Sequence, residues 1–406
     1  MLLFQLAARN ATRNLTRTVL TAGMVVFGTA LLTVALCWIG GVFGGVLATA
    51  ANQGGEVRLV QKAYLEREDL MPLYDNVPAV AAVAAAVAAV PGVREVYPRI
   101  SVGVTGAVGD TIGEVFGLAV GIDPAWISRR VGADKLDGRL YAHEHELVLG
   151  ARLASELHVQ IGDEVVLDGQ TQDGAMSAVR GEVVGVLHSG IAIVDHQAFM
   201  PLADAQYLAD IEDAATEVLV YGDDRDTAGA LAIEIAKTPA VKGLIVQSWS
   251  EREPWRGLLS IVGVVRTVLA GIIVFITALG VWNTMMMSVL ERTGEIGVMR
   301  AMGLTRAGAV LLFVVEALVI AVLGGGLGVA IGSVGGALLE HYGVQLGDNV
   351  TQNVAVPFAT RMYGDLTPGV MVSGFLLALC MAVVGSAPPA LRAASIQPVA
   401  AMRSRR

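Results

Sequence analysis

Four long apolar stretches, separated by segments of a different rhythm, organise the chain. Thr18 to Gly55 contains no charged residue, and its apolar core runs from Val19 to Ala51. A bilayer core of about 30 Å is crossed by about 20 helical residues. At about 1.5 Å per residue this core reaches ~50 Å, so it tilts strongly or continues as a stalk. Arg9, Arg13 and Arg17, with Ala48-Thr49-Ala50, imitate a secretory leader. A leader's apolar region is about 7–15 residues, however, so a retained membrane helix is expected. Thr267–Leu290 and Thr367–Leu391 are also uncharged, and Ala307–Leu339 holds one carboxylate, Glu316. Each is long enough to cross. In the third, Gly324, Gly328, Gly332 and Gly336 recur at every fourth position, a stripe that lets another helix approach closely.

The long segment between the first two spans has a mixed period. Glu56–Gln61 alternates like a strand, and Pro78–Val90 reads as a helix ended by Pro91-Gly92. Val93–Tyr97 and Val115–Ile122 read as strands. A second group follows: strand Glu146–Leu149, helix Ala151–Leu157, then strands Val165–Leu167, Gly181–Leu187 and Val218–Tyr221. Helix Asp226–Lys237 and strand Leu244–Gln247 complete it, and Glu251–Gly257 leads into the second span. The expected fold is an α-helical membrane protein with four transmembrane helices. A large mixed α/β extracytoplasmic domain of two subdomains is inserted between helices 1 and 2. The expected division is 1–51 (terminal segment and helix 1), 52–256 (outer domain), 257–290 (helix 2), 291–306 (inner connection), 307–339 (helix 3), 340–366 (outer loop), 367–391 (helix 4) and 392–406 (tail).

Composition agrees: of 406 residues, 54% are hydrophobic and 16% charged, against about 25% charged in soluble proteins. Mean hydropathy is +0.62. Charge sets the orientation. Arg9, Arg13 and Arg17, then Arg292, Arg300 and Arg306, then Arg392, Arg403, Arg405 and Arg406 mark three segments that four spans place on one side. Basic segments stay cytoplasmic, so both termini are expected inside. Residues 52–256 carry 16 Lys+Arg and 31 Asp+Glu, a net of −15 against −9 for the whole chain. Such a domain does not adhere to anionic headgroups, and nothing here recruits nucleic acid. Arg266, at the outer start of the second span, is expected to snorkel to the interface.

The chain lacks the usual signatures of chemistry. None of its four lysines (Lys62, Lys135, Lys237, Lys242) follows a glycine, so there is no P-loop. His143-Glu144-His145-Glu146 would put two imidazoles on one face of a strand, but a zinc site takes a third protein ligand. His188-Ser189 with Asp195 and His196 is a polar loop with no sign of a triad. Cys37 and Cys380 sit in apolar spans, and the outer segment has no cysteine to cross-link. No catalytic, cofactor or metal residue is expected. Glu316, near mid-bilayer, is costly there; it pairs with a basic group at a helix end or marks a pathway.

The sharpest signal is Glu291–Arg306, between spans two and three. Ile296, Met299 and Met302 (or Gly303) share a helical face, with Glu291, Arg292 and Glu295 on the polar side. A short amphipathic helix lies on the membrane or docks in a groove of a cytoplasmic protein. The stretch resembles the E-R-x-x-E-I-G-x-x-R-A-x-G segment of MacB/FtsX-like (type VII) ABC transporter permeases, matching at Glu291, Arg292, Glu295, Ile296, Gly297, Arg300, Ala301 and Gly303. Pro389–Arg403 resembles their terminal P-A-x-x-A-A-x-x-x-P-x-x-A-L-R, with Met402 for Leu. Such permeases also often carry an acid where Glu316 stands.

The resemblance implies two paired permeases, a second copy or a homologue, above a separate ABC ATPase dimer that holds ATP and Mg. Glu291, Arg292, Glu295, Ile296, Met299, Arg300, Met302 and Gly303 would couple to that ATPase in the bacterial inner membrane. Gly55–Val60 and Ile191–Leu208 (with Asp195, Phe199, Pro201, Leu202, Ala205 and Gln206) are similar to lipoprotein-releasing LolC/LolE-type permeases. The chaperone-binding hook of that branch has only the short, Pro-free Asp168–Arg180 as its counterpart. Extraction of lipoprotein or another amphiphilic cargo from the outer leaflet is therefore expected, with a periplasmic chaperone or adaptor as a further partner. MacB-type efflux of peptides or macrolides, FtsX-like control of cell-wall hydrolases, and an outer-face binding protein without energy input remain alternatives.

Overall fold

The computed structural model describes residues 15–108, 111–253, 255–345 and 361–397. Arg9, Arg13, residues 346–360 of the expected outer loop, and the terminal motif from Pro398, including Met402, Arg403, Arg405 and Arg406, lie outside them. The described chain divides into a helical unit (15–44, 260–345, 361–397) and an α/β unit (45–259).

The helical unit contains most of α1 (Leu15–Gly54), most of α6 (Trp255–Glu291), the short α7 (Thr293–Ala301), α8 (Arg306–Tyr342) and α9 (Pro368–Ser395). Among the described residues four helices are long and apolar enough to cross a membrane: Thr18–Gly54, Trp255–Glu291, Arg306–Tyr342 and Pro368–Ser395. The three of 37 residues reach ~55 Å, well beyond a bilayer core of about 30 Å. Close packing depends on missing side chains. A Cβ at Gly328 would lie 2.7 Å from Thr29 Cβ, and one at Gly332 2.7 Å from Thr33 Cβ. At Gly324 it would meet Ala22 O at 3.2 Å, and at Gly336 Cys37 Sγ at 3.1 Å. The glycine edge of α8 therefore lies directly on α1, where dispersion and close backbone contact replace the hydrophobic effect. Gly385 of α9 meets Ala278 and Val281 of α6 in the same way. By contrast, the most apolar window of α6 has none of its residues buried within the chain.

In chain order the α/β elements fall between α1 and α6. They are β1 (Val57–Gln61), α2 (Val80–Ala88), β2 (Glu95–Val108), β3 (Thr111–Gly121), β4 (Leu136–Gly138), β5 (Glu146–Gly150), α3 (Ala151–Leu157), β6 (Glu164–Gln170), β7 (Met176–Leu187), β8 (Gln197–Met200), α4 (Leu202–Ala209), β9 (Glu217–Tyr221), α5 (Ala228–Ala236) and β10 (Leu244–Ser248). The strand order is β10-β1-β9-β2-β3-β8-β5-β7-β4, with β6 pairing β2 and β7. Val218–Tyr221 and Leu244–Gln247 pair with the first strand group as β9 and β10, the parallel β3–β8 and antiparallel β2–β6 ladders join it to the other strands, and residues 45–259 form one compact unit. The strand expected at Val93–Tyr97 continues to Val108. Pro98, Gly103 and Gly106 interrupt its alternation, yet pairing with β9, β3 and β6 carries it on.

Candidate functional site

At the end of α6, Arg292 leaves helical geometry (φ −96°, ψ 15°) and α7 begins. Gly303, with φ +103°, turns the chain after α7, a backbone conformation open to glycine. The Thr305 hydroxyl then accepts from Gly308 N at 3.0 Å and caps α8.

Three contacts seat α7 inside the helical unit. Ile296, 1% exposed, joins a core of Met285, Val289, Phe313, Ala390 and Ala393, against which Met299 also packs. Arg300 Nη1 donates to Ala394 O at 2.5 Å and Ile396 O at 2.8 Å. It thereby serves carbonyls at the C-terminus of α9, the negative end of that helix. Arg292 Nη1 lies 3.7 Å from Glu316 Oε1, with both side chains largely buried. Glu316 thus meets a cation at a helix end, the first of the two expectations for it. Glu291, Glu295, Val298, Met302 and Gly303 remain exposed.

The expected faces need two corrections. Met302 does not join Ile296 and Met299 on the inner face: it follows the last helical residue and is 75% exposed. Arg292 is not on the solvated side, because the buried Glu316 carboxylate draws it inward. Of the eight residues proposed for coupling, Ile296, Met299, Arg300 and Arg292 hold the turn in place, whereas Glu291, Glu295, Met302 and Gly303 face outward.

A second constellation, in the α/β unit, escaped sequence reasoning. Here the final carbonyls of α1 are taken one by one. Tyr221 Oη donates to Asn52 O at 2.6 Å, Arg99 Nη1 to Gln53 O at 2.8 Å, and Arg252 Nη1 to Gly54 O and, at 3.3 Å, to Gly55 O. The buried carboxylate Glu217 balances these cations, with Arg99 Nη2 at 2.8 Å and Arg58 Nη1 at 3.7 Å. Arg58 also pairs with Glu68 and donates to Gln247 Oε1 at 3.3 Å. Burial pushes the Glu217 carboxyl up, but Arg99, Arg58 and Arg252 outweigh it and hold the group below the ordinary carboxylate value. Burial, with repulsion from Arg58, lowers Arg252 to about 10. Burial raises the Tyr221 hydroxyl to about 12, so it stays a donor. The residues come from positions 58, 99, 217, 221 and 252, too far apart for any spacing to expose the cluster. The one local trace is a lone arginine in the apolar run Val57-Arg58-Leu59-Val60.

The two polar loops carry no catalytic geometry. His143 and His145 sit in the turn before β5 and not on a strand. Glu146 is engaged by Arg139 at 2.6 and 2.7 Å and by Ala142 N at 2.8 Å, which pull its carboxyl down to about 2. Among the described residues no three His, Cys, Asp or Glu side chains group to hold a metal. Ser189 Oγ donates to Asp195 at 2.6 Å, while the His188 and His196 rings face Asp137 and Glu156, each at 3.0 Å.

With this geometry in hand, comparison with known proteins is specific. Residues 267–398 match the FtsX-like permease C-terminal model. Residues 18–238, more than half of the chain, match the MacB-like periplasmic core domain. The chain belongs to the MacB/FtsX-like ABC transporter permeases. Among relatives of this permease, the lipoprotein-releasing system transmembrane protein LolC of Xylella fastidiosa (strain Temecula1) is 30% identical over 274 residues, 64% of this chain and 65% of LolC. An uncharacterised ABC transporter permease of Bacillus subtilis, YknZ, is 25% identical over 63% of this chain and 61% of its own. The macrolide export ATP-binding/permease protein MacB of Sodalis glossinidius is 37% identical over 143 residues, 34% of this chain and 19% of MacB. The permease thus spans less than two thirds of each of these three. The extracellular domain of YknZ overlaps 47% of this chain and 98% of its own at 15% identity and a TM-score of 0.35. The periplasmic region of MacB from Actinobacillus actinomycetemcomitans overlaps 49% and 92% at 14% identity and a TM-score of 0.36.

Proposed function

We propose that this permease is the membrane subunit of an ATP-driven mechanotransmission ABC transporter that extracts lipoprotein or another amphiphilic cargo from the outer leaflet of the bacterial inner membrane. The supporting observation is the seating of α7. Ile296, Arg300 and Arg292 fasten it to α6, α8 and α9, while Glu295, Val298 and Met302 stay on the surface. A push on that surface moves three helices together. A separate ABC ATPase dimer binds there and holds ATP and Mg, and both termini are cytoplasmic. Within the α/β unit, Arg99, Arg252 and Tyr221 grip the last turn of α1. A second permease covers part of the unburied window of α6, and lipid covers the remainder. The test is co-purification in mild detergent: an ABC ATPase accompanies the wild type, and Met302→Asp releases it without unfolding the permease. No ATPase on the wild type would overturn the reading.

One observation favours MacB-type efflux as a second reading. The β6–β7 connection is a tight turn, with Thr171 N to Ala175 O at 2.8 Å and Gly174 at φ +80°, and it offers no hook for a chaperone. An adaptor that co-purifies in place of a lipoprotein chaperone would decide for it.

A further inference from the structure

A groove of ≈ 580 Å³ opens in the α/β unit between the 69–74 segment and the 168–176 hairpin, over Gly103 of β2 and Phe116 of β3. That volume falls within the range of small-molecule sites, about 300–1,000 Å³. Its lining departs from the surrounding surface. Among the described residues of the unit nine large apolar side chains are exposed, and five of them line this groove: Leu70, Met71, Tyr74, Phe116 and Met176. Leu70, Phe116 and Met176 are each more than 70% exposed. An apolar patch gathered on one concavity of an otherwise acidic domain marks an interaction site. Two of the five are methionines, whose unbranched side chains adapt to ligands of varied shape. Met71 is held at φ +46°, a left-handed conformation that residues with side chains rarely adopt.

The polar lining fixes the sign of the ligand. Asp69 and Asp168 border the groove, and among the described residues no Lys, Arg or His does. Arg67, outside the lining, donates to the Tyr74 hydroxyl and keeps its charge, one cation beside the two lining carboxylates. An anionic headgroup is repelled here and a cation is attracted. The floor is open by construction, because a Cβ at Gly103 would meet no atom within 4 Å.

We propose that this groove binds a cationic amphiphile, its apolar chain against Gly103 and Phe116 and its ammonium group facing Asp69 and Asp168. The inference rests on the reading of an amphiphile-handling permease, but its test needs no nucleotide and no ATPase. Failure of one therefore does not imply failure of the other. The full chain in phosphatidylcholine nanodiscs is titrated calorimetrically with octylamine, octanol and octanoate, with empty discs as the blank. Octylamine binds tightest and octanoate weakest, and hexylamine binds about fourfold more weakly per methylene removed. Gly103→Phe, whose Cβ meets no atom within 4 Å, places a ring on the floor, keeps the melting temperature and removes octylamine binding. Asp168→Asn brings octylamine down to the level of octanol and leaves octanol unchanged. Equal binding of octanoate and octylamine, or undiminished octylamine binding by Gly103→Phe, overturns the proposal. So does heat only on addition of an apolar peptide without a cation, which would make the groove a protein-docking surface.

Discussion

Two helix ends in this permease are served by arginine, and they are built to different standards. Around the end of α1, Arg99, Arg252 and Tyr221 satisfy successive carbonyls beside the buried Glu217, while Glu217 Oε2 and Arg58 Nε have no hydrogen-bond partner. Around the end of α9, Arg300 serves the Ala394 and Ile396 carbonyls and the Ser395 hydroxyl donates to Arg392 O, and Arg300 Nε is buried with no hydrogen-bond partner. Beside it, Arg292 and Glu316 stand 3.7 Å apart, and Glu316 Oε2 also lacks a hydrogen bond. Three side chains from distant parts of the sheet and its flanks hold the first end. Buried polar atoms without a hydrogen bond occur in both clusters, and the ends differ in how many side chains hold them.

Breaking the stronger end has the largest effect. Glu217→Ala leaves three arginines close together with Glu68 as the remaining carboxylate, and it destabilises the α/β unit by about 3–5 kcal/mol. Chemical denaturation of the full chain checks this, and a loss under about 1 kcal/mol would show that the cluster is not the clamp described.

The α1–α8 contact ranks next. Gly332→Leu drives a side chain into Thr33 and Ala30 and costs about 1–3 kcal/mol or displaces α1. Gly326→Leu, where a Cβ meets nothing within 4 Å, serves as the neutral control for thermal unfolding in detergent.

Arg300→Ala removes the cap of α9 and costs about 1–2 kcal/mol, roughly the worth of a charged helix-end contact. A melt of Arg300→Ala as stable as the wild type would mean that the cap carries no energy.

Acid sharpens the comparison further. Glu217 and Glu146 both have folded-state values below their unfolded ones, Glu146 at about 2. Their stabilisation is complete above the unfolded carboxylate value, about 4.3, and is lost as pH falls through the folded-state values. Unfolding of the α/β unit should therefore become easier below that pH, and Glu217→Gln should flatten the dependence. A profile unchanged by Glu217→Gln would contradict the assignment.

Local signals made the helices legible. Uninterrupted apolar runs identified all four long ones, and the α3 residues, Ala151–Leu157, read as a helix from their own pattern. Where the fold depends on distant partners, the sequence was silent. The continuation of β2 beyond Pro98 comes from its hairpin with β3 and from β6 and β9, the last two more than fifty residues away, and α4 has a short, weakly periodic stretch that no cap announces. The turn around α7 was half legible. Helical spacing placed Ile296 and Met299 together, but it could not show that Glu316, on the next helix, pulls Arg292 inward or that the helix stops before Met302. The arginine clamp was invisible because its members meet only through the sheet.

The central claim is that the exposed side of α7 is where an external nucleotide-hydrolysing subunit pushes. Affinity purification of the tagged chain from its host, with mass spectrometry for a companion carrying a Gly-x-x-x-x-Gly-Lys-Ser/Thr loop, tests it most directly. The account predicts such a companion on the wild type and its loss from Met302→Asp at an unchanged melting temperature. A companion retained in full by Met302→Asp, or absent from the wild type, would contradict it.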